Sequence, residues 1–222
     1  MQAVTLVCVS QPRLPEFPNM TAEELIAYCA RVSNPANQGN METGPKLVRY
    51  LLKNKHWSPL EMVSMTLEIN TTRDIARQIL RHRSFSFQEF SQRYADPTKD
   101  LEFRTKEARL QDTKNRQNST TTTDKKLAKE WEDRQKGAIL RAQTTYEWAI
   151  KNGIAKEQAR AILPEGCTMS RLYMAGSIRS WVHYCDLRRG NGTQLEHREI
   201  AESCWTIMQQ EFPSIVDALR ED

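Results

Sequence analysis

The sequence lacks a paired cysteine motif and a long apolar run. Its five cysteines are odd in number, without a CxxC pair, and scattered over the chain: Cys8, Cys29, Cys167, Cys185 and Cys204. Neither a disulfide framework nor a zinc ribbon is therefore indicated, and reduced thiols in a cytoplasm are the simplest interpretation. Runs of about 18 apolar residues and an N-terminal basic segment followed by a long apolar one are also missing. We therefore expect a cytoplasmic protein with neither an export signal nor a membrane span.

A strong excess of one charge is missing too. The 222 residues include 32 basic and 28 acidic side chains, which gives a net charge of +4. This mild excess suits anionic ligands but is too small to indicate nucleic acid by itself. The four histidines have no HxxxH spacing, so no metal site is expected.

Alternating and helical periodicities are both present. Strands are predicted over residues 3–9, 62–70 and 85–94. Thr21 and Glu24 form a capping box at the start of the first helix, and further helices are predicted over residues 44–55, 73–83, 126–152, 156–162, 168–188, 194–210 and 213–220. The pattern predicts an α/β (α+β) fold with a mixed sheet and a helix-rich C-terminal half.

Residues 111–126 (QDTKNRQNSTTTTDKK) contain almost nothing apolar. Such a segment cannot contribute to a core. We expect a single domain over residues 1–222, with residues 111–126 as a polar, solvated or mobile loop insertion.

The informative stretch is residues 77–94 (RQILRHRSFSFQEFSQRY). On a helix, Arg73, Arg77 and Arg81 would share one face. On a strand, Glu89, Ser91 and Arg93 would point the same way. Arginine forks match phosphate oxygens, and a hydroxyl can complete such a site. Each arginine alone is more often a solvated or helix-capping cation, but the whole cluster predicts an anion-binding site.

Residues 81–83 (RHR), followed after seven residues by Ser91, resemble the RHR-x7-S signature of the flavin-dependent thymidylate synthases, the ThyX family. Further segments are similar in the same order: residues 30–33 (ARVS), 56–61 (HWSPLE), 159–164 (ARAILP), 187–188 (LR) and the helix start at Gln194. The similarity runs from about residue 30 to 200, apart from the polar insertion. It implies a ThyX-like domain that methylates dUMP reductively to dTMP.

The resemblance also implies a site, residue by residue. The implied dUMP-binding residues come from more than one subunit of a homotetramer and are Gln78, Arg81, Glu89, Ser91, Arg93, Arg160 and Arg188. The implied FAD-binding residues are Ser33, His56, Ser58, Arg81, His82, Arg83, Arg179 and His183. Arg188 would contact the uracil ring and stabilise negative charge there, and Ser91 is the second residue expected to act in catalysis. His197 is expected on a helix surface.

The implied cofactor is FAD, with NADPH and 5,10-methylenetetrahydrofolate as co-substrates. We expect neither a nucleic-acid partner nor a membrane. Two alternatives remain open. A basic helix beside an aromatic strand (Phe85, Phe87, Phe90) can imitate a nucleic-acid-binding module. A cysteine-dependent thymidylate synthase would need an activated thiolate, for which only Cys167, near an expected helix start, offers a weak candidate.

Overall fold

Strands and helices alternate in the first half of the chain, and helices dominate the second half. The computed structural model describes residues 3–220, so residues 1, 2, 221 and 222 of the predicted domain lie outside the described residues. In chain order the elements are β1 (Val4–Val9), α1 (Ala22–Ala30), a 3-10 turn (Pro35–Asn37), α2 (Gly44–Lys53), a 3-10 turn (Ser58–Glu61), β2 (Ser64–Thr72), α3 (Arg73–Ile79), β3 (Ser86–Glu89), α4 (Pro97–Asp100), β4 (Arg109–Gln111), β5 (Ser119–Thr121), α5 (Lys125–Lys151), α6 (Lys156–Ala159), a 3-10 turn (Arg160–Ile162), β6 (Met169–Ser177), α7 (Ile178–Arg189), α8 (Leu195–Glu211) and α9 (Pro213–Arg220).

Four strands form the central sheet, in the order β1-β2-β6-β3. Strands β2 and β6 pair over nine residues, from Ser64 opposite Ser177 to Thr72 opposite Met169. The β1–β2 and β3–β6 pairings are antiparallel as well. The α+β class is thus confirmed. The prediction of a mixed sheet is wrong, because all three strand pairings of the central sheet are antiparallel.

The core lies between the sheet and helices α3, α7, α8 and α9. Val63, just before β2, and the alternate β2 residues Met65, Leu67 and Ile69 are fully buried, as the period of two in the sequence predicts. Trp181 of α7 packs against this layer and its Nε1 donates to the carbonyl oxygen of Met65 at 3.0 Å. The sheet and α7 are therefore fixed to each other by packing and by a buried hydrogen bond.

The predicted helix over residues 168–188 is wrong in its first half. Residues 169–177 form β6, and α7 begins only at Ile178. Met174 fits a helical stripe with Ile178 and Trp181, but Leu172 and Met174 also alternate with exposed Tyr173. Pairing with two neighbouring strands decides the matter in favour of a strand, since tertiary context overrides a short ambiguous pattern.

Two predicted elements end earlier than their sequence patterns suggest. Helix α3 ends at Ile79 rather than at residue 83, because its buried apolar face ends there. Strand β3 ends at Glu89 rather than at Tyr94, and residues 91–95 form a turn in which the amides of Tyr94 and Ala95 donate to the carbonyl oxygen of Ser91. Residues 81–83 and Ser91 therefore lie in turns rather than in regular elements.

The polar segment 111–126 is largely exposed, as expected, but is not wholly irregular. Strands β4 and β5 pair antiparallel as a hairpin, with Leu110 opposite Thr120, and Asp124 caps the start of α5. The other predicted elements are confirmed, including the capping box at Thr21. Among residues 3–220, no helix has the length and apolar character needed to cross a bilayer.

Candidate active site

The last turn of α7 holds Arg188 against His82. The Nε atom of Arg188 donates to Nε2 of His82 at 2.9 Å. Burial, and then the charge of Arg188, lower the pKa of His82 to about 4. The ring of His82 stands edge-on to Tyr184, with centroids 4.9 Å apart. A neutral imidazole therefore accepts from the guanidinium and keeps it in one orientation.

His197 is fully buried, which corrects the expectation of a surface position. Its Nδ1 lies 3.3 Å from Oε1 of Gln78, and its Nε2 lies 3.1 Å from the hydroxyl oxygen of Tyr184. Burial, and then the charges of Arg188 and His82, lower the pKa of His197 to about 4. The sequence held a signal for this, because position 197 continues the buried stripe of α8 at positions 200, 201, 204 and 208.

The expected stripe of three free arginines does not form. Arg73 is buried and lies 3.6 Å from both Glu89 and Glu165. Arg77 pairs with Glu165 at 3.5 Å, while Arg81 lies beyond the end of α3, where it is exposed. Glu89 also accepts from Ser170 Oγ at 2.8 Å. Arg73 and Glu89 are thus engaged within the fold, and the exposed cations of this region include Arg81 and Arg83.

The turn after β3 places Ser91 and Arg93 beside α6. Arg93 pairs with Glu157 at 3.2 Å, and Lys156 Nζ donates to the carbonyl oxygen of Tyr94 at 2.9 Å. Arg160 follows directly after α6. Ser91 Oγ accepts from the amide of Arg93 at 3.3 Å, so it helps to shape the turn. Ser91 and Arg93 no longer share a strand face with Glu89, but their turn is in contact with the segment that carries Arg160.

Four of the eight residues that match FAD contacts lie around the Ser58–Glu61 turn: His56, Ser58, Arg179 and His183. The rings of Trp57 and His183 are 4.7 Å apart, and Arg179 forms an ion pair with Glu61. These contacts bring α7 to the segment that carries His56 and Ser58. Ser33 is exposed in the loop after α1, and α1 packs against the same turn. Exposed imidazole, hydroxyl and guanidinium groups thus occur on neighbouring segments, a donor set that suits a ring system and a diphosphate.

The cysteines are poorly placed for nucleophilic attack. Burial raises the pKa values of Cys185 and Cys204, which lie inside the core. Burial also raises the pKa values of Cys29 and Cys167. Cys167 precedes a strand rather than a helix, so the dipole effect that was considered for it is missing. These four thiols are therefore held in the protonated form, which is a poor nucleophile.

The aromatic side chains of the β3 segment pack inward. Phe85 stands edge-on to Trp181 with centroids 4.8 Å apart, and Phe87 packs against the main core. A Cβ atom at Gly176 would lie 2.5 Å from the Phe85 ring, so glycine is required where the ring crosses the strand. Phe85 and Phe87 are thus engaged with the core rather than forming an open platform for stacking bases.

A cavity of about 600 Å³ lies between the β4–β5 hairpin, α5 and Gln194. Its lining includes Trp131, Leu127, Arg109 and Arg116. It touches the predicted site only at Gln194, and the residues that match dUMP or FAD contacts lie outside it. Within residues 3–220, no group of three or more His, Cys, Asp or Glu side chains is arranged to hold a metal ion. The prediction that the protein uses no metal stays a prediction.

Residues 18–214 match the family described as thymidylate synthase complementing protein, Thy1. The chain is 51% identical over 199 residues to a probable flavin-dependent thymidylate synthase of Paramecium bursaria Chlorella virus 1, which covers 90% of this chain and 91% of the relative. It is 50% identical over 200 residues to the flavin-dependent thymidylate synthase of Synechocystis, covering 90% of each chain. The chain belongs to this family. The family membership that the RHR segment predicted is therefore confirmed.

A solved structure shows the same fold. The UMP/dUMP methylase PolB from Streptomyces cacaoi, bound with 5-Br dUMP, superimposes with a TM-score of 0.80 at 26% identity. The alignment covers 98% of this chain and 94% of PolB. Near-complete coverage of both chains supports the ThyX-like fold over the described residues.

Proposed function

We propose that this protein is a flavin-dependent thymidylate synthase. It methylates dUMP at C5, with 5,10-methylenetetrahydrofolate as the carbon donor, and does so without a cysteine nucleophile. FAD, when bound and reduced by NADPH, would supply the hydride that completes the methyl group. The observation that carries this proposal is the fixed guanidinium of Arg188, held by a neutral His82 at 2.9 Å.

Arg188 acts on the uracil ring by electrostatics. The C5 atom of uracil is a weak nucleophile, and negative charge grows on the ring as C5 attacks the methylene carbon. A guanidinium that is already oriented stabilises this charge without reorganising during the reaction. The neutral His82 takes up one donor of Arg188 and leaves its positive charge undiminished.

The phosphate of dUMP lies at the turn after β3. Arg93, Arg160 and the Ser91 hydroxyl supply the guanidinium forks and the donor that a phosphate needs. Arg93 is paired with Glu157 at the surface, and such an exposed pair is weak enough for a phosphate to replace the carboxylate. Arg81 and the amide of Gln78 complete the dUMP contacts, and Glu89 holds Arg73 behind them.

The exposed groups around Trp57 and His183 would hold the flavin. His56 and His183 offer rings, Ser33 and Ser58 offer hydroxyls, and the cations come from Arg83 and Arg179. Arg81 and Arg83, on either side of His82, are exposed. Because Arg81 is assigned to both ligands, the two would meet near residues 81–83.

We also propose a homotetramer in the cytoplasm. Exposed apolar side chains adjoin three of the site residues: Val32 beside Ser33, Tyr94 beside Arg93 and Leu187 beside Arg188. A second copy that covers these side chains would bring its own polar groups to the site. The odd number of scattered cysteines supports a reducing compartment. Light scattering tests the assembly, and a fully active monomer would contradict it.

A visible spectrum of the purified protein tests the function most directly. Flavin absorption is expected after reconstitution with FAD, and the bands should shift when dUMP is added. Conversion of dUMP to dTMP should then require both methylenetetrahydrofolate and NADPH. A protein that stays colourless in excess FAD, or that binds nucleic acid tightly without a flavin, contradicts the proposed function.

A further inference from the structure

A continuous series of hydrogen-bonding groups leads from the β4–β5 hairpin into the core beneath the active site. It starts at the carboxylate of Glu196, which accepts from the guanidinium of Arg109 and from Nε2 of Gln194, the latter at 3.0 Å. Gln194 Oε1 accepts from Nε2 of Gln78 at 2.8 Å. The Gln78 oxygen faces His197 Nδ1, and His197 Nε2 faces Tyr184, as described above.

The carboxylate at one end sets the direction of every bond in this series. Burial raises the pKa of Glu196, whereas hydrogen bonds from Arg109, its own amide and Gln194 lower it, and the net direction is downward. An ionised carboxylate only accepts, so Gln194 must present its NH2 group to Glu196 and its oxygen to Gln78. Gln78 must then turn its own NH2 group to Gln194 and its oxygen to His197.

The far end of the series agrees with this direction. The Gln78 oxygen can only accept, so His197 must carry its proton on Nδ1 and accept from the Tyr184 hydroxyl at Nε2. Burial and the nearby charge of Arg188 keep His197 neutral, as this arrangement requires. Five side chains thus have one consistent arrangement of donors and acceptors.

Gln78 lies at the same end of the molecule as Arg188. Its partner His197 has its ring centroid 6.4 Å from that of His82, which accepts from Arg188. The contact with Gln194 uses one N–H of the Gln78 amide, and the contact with His197 uses one lone pair of its oxygen. One N–H and one lone pair of this half-exposed side chain remain for a ligand.

We propose that Glu196 is a positioning residue that fixes the orientation of the Gln78 amide and thereby lets the site accept uracil nucleotides and reject cytosine nucleotides. This rests on the proposed function, in which Gln78 and Arg188 both contact dUMP, and it assigns the pyrimidine edge to Gln78. Uracil offers an acceptor at O4 and a donor at N3. Cytosine reverses both, with an amino donor at position 4 and an acceptor at N3. An amide held in one orientation matches only one of the two edges, whereas an amide free to flip matches either.

The test is the ratio of dissociation constants for dCMP and dUMP, measured by isothermal titration on the flavin-loaded protein. Glu196→Gln has an amide in place of the carboxylate, so it can donate as well as accept, and Gln194 and Gln78 are free to flip. We expect the dCMP-to-dUMP ratio to fall on the order of tenfold, the effect of one hydrogen bond lost or reversed. Glu202→Gln is the matched control, because Glu202 also lies on α8 and pairs with an arginine, Arg189, but stands outside the series. Its ratio should equal that of the parent protein.

Two further variants separate polarity from packing. Arg109→Met removes the partner of Glu196 but keeps the carboxylate, so the ratio should hold within about twofold, a fraction of one hydrogen bond. Gln194→Leu breaks the link between the Glu196 carboxylate and the Gln78 amide, so the ratio should fall as in Glu196→Gln. This variant decides the matter if Glu196→Gln loses its flavin or melts early.

The outcomes distinguish a failure of the role of Glu196 from a failure of the proposed function. A protein that binds dUMP, and whose ratio is unchanged in a folded Glu196→Gln or Gln194→Leu variant, overturns the role of Glu196 and leaves the proposed function intact. An equal fall in Arg109→Met and Glu196→Gln also overturns it, since loss of packing then explains both. A parent protein that binds FAD but neither nucleotide overturns the proposed function, and this proposal with it.

Discussion

The polar residues of the site fall into two regions with opposite character. Around Arg188, the side chains of Gln78, His82, Tyr184 and His197 are buried or half-buried and bonded to one another. On the segment from Arg81 to Arg93, the arginines are exposed, and Arg93 pairs with a surface carboxylate, that of Glu157. The first region is complete within one chain, whereas the second presents charged groups to the outside.

The difference has a physical cause. A buried polar group without a partner costs about 1–3 kcal/mol, so the inner region must be satisfied by the fold itself. Exposed arginines are hydrated at little cost, so they remain available to bind a phosphate, a flavin or another subunit. We therefore expect the inner region to control the rate and specificity of the reaction, and the outer region to control ligand affinity.

Arg188→Ala is the largest expected change and tests the inner region. Loss of a preorganised charge that acts mainly in the transition state should lower kcat roughly 100- to 1,000-fold, with a smaller effect on dUMP affinity. Steady-state kinetics at saturating dUMP measure it. Arg189→Ala is the matched control, because Arg189 pairs with Glu202 and lies over the Trp205 ring. A higher KM with unchanged kcat would show uniform binding instead.

Arg93→Ala and Arg160→Ala test the outer region. Each should weaken dUMP binding roughly 10- to 150-fold, equivalent to a charged hydrogen bond of about 1.5–3 kcal/mol, and leave FAD binding nearly unchanged. Titration calorimetry with each ligand gives both numbers. Arg134→Ala, an exposed arginine on α5 that pairs with Glu130, serves as the control. Equal loss of both ligands would point to a structural role and remove the distinction between the two regions.

The pH dependence of stability should come from the inner region. The pKa of His197 is about 4 in the folded protein, against 6.5 for the free side chain. The unfolded chain then binds more protons between these values, so stability is full above about pH 6.5 and is lost as pH falls toward 4. We expect about 2 kcal/mol less stability at pH 5 than at pH 7.5 from His197.

Melting curves of the parent protein and of His197→Phe at the two pH values check this. Phenylalanine cannot be protonated, so the variant should lose less stability on acidification, although it lacks two hydrogen bonds at every pH. Arg188, His82 and Tyr184 surround this position and remain in the variant. Identical losses in the two proteins would show that His197 does not titrate in this range.

Replacement of single cysteines should have the smallest effect on chemistry. Each of Cys8, Cys29, Cys167, Cys185 and Cys204 changed to alanine should keep kcat within about tenfold, or roughly 1.4 kcal/mol of barrier. Cys185→Ala and Cys204→Ala should cost about 1–3 kcal/mol of stability, since both side chains are buried. A folded variant that holds FAD and dUMP but makes no dTMP would show that a thiolate takes part.

Local signals in the sequence were sufficient for most elements. The capping box at Thr21, the alternation of β2 and the long amphipathic α5 are properties of short stretches, and they predict the same structure that forms. The RHR segment and its companions identified the family, because they combine several residue types at fixed spacing over most of the chain. The assignment of individual residues to dUMP and FAD remains a prediction that the variants above test.

Long-range packing decided the rest. Residues 169–177 satisfy a helical and a strand pattern, and only pairing with β2 and β3 on either side selects the strand. Arg73 looks like a free cation in the sequence, yet the fold buries it beside Glu89 and Glu165. His197 looks like a surface residue, yet its contacts with Gln78 and Tyr184 join residues that are 119 and 13 positions away. Local periodicity follows from backbone geometry, so it can be recognised within a single segment. The partner of a buried polar group depends instead on which distant segment the folded chain places beside it.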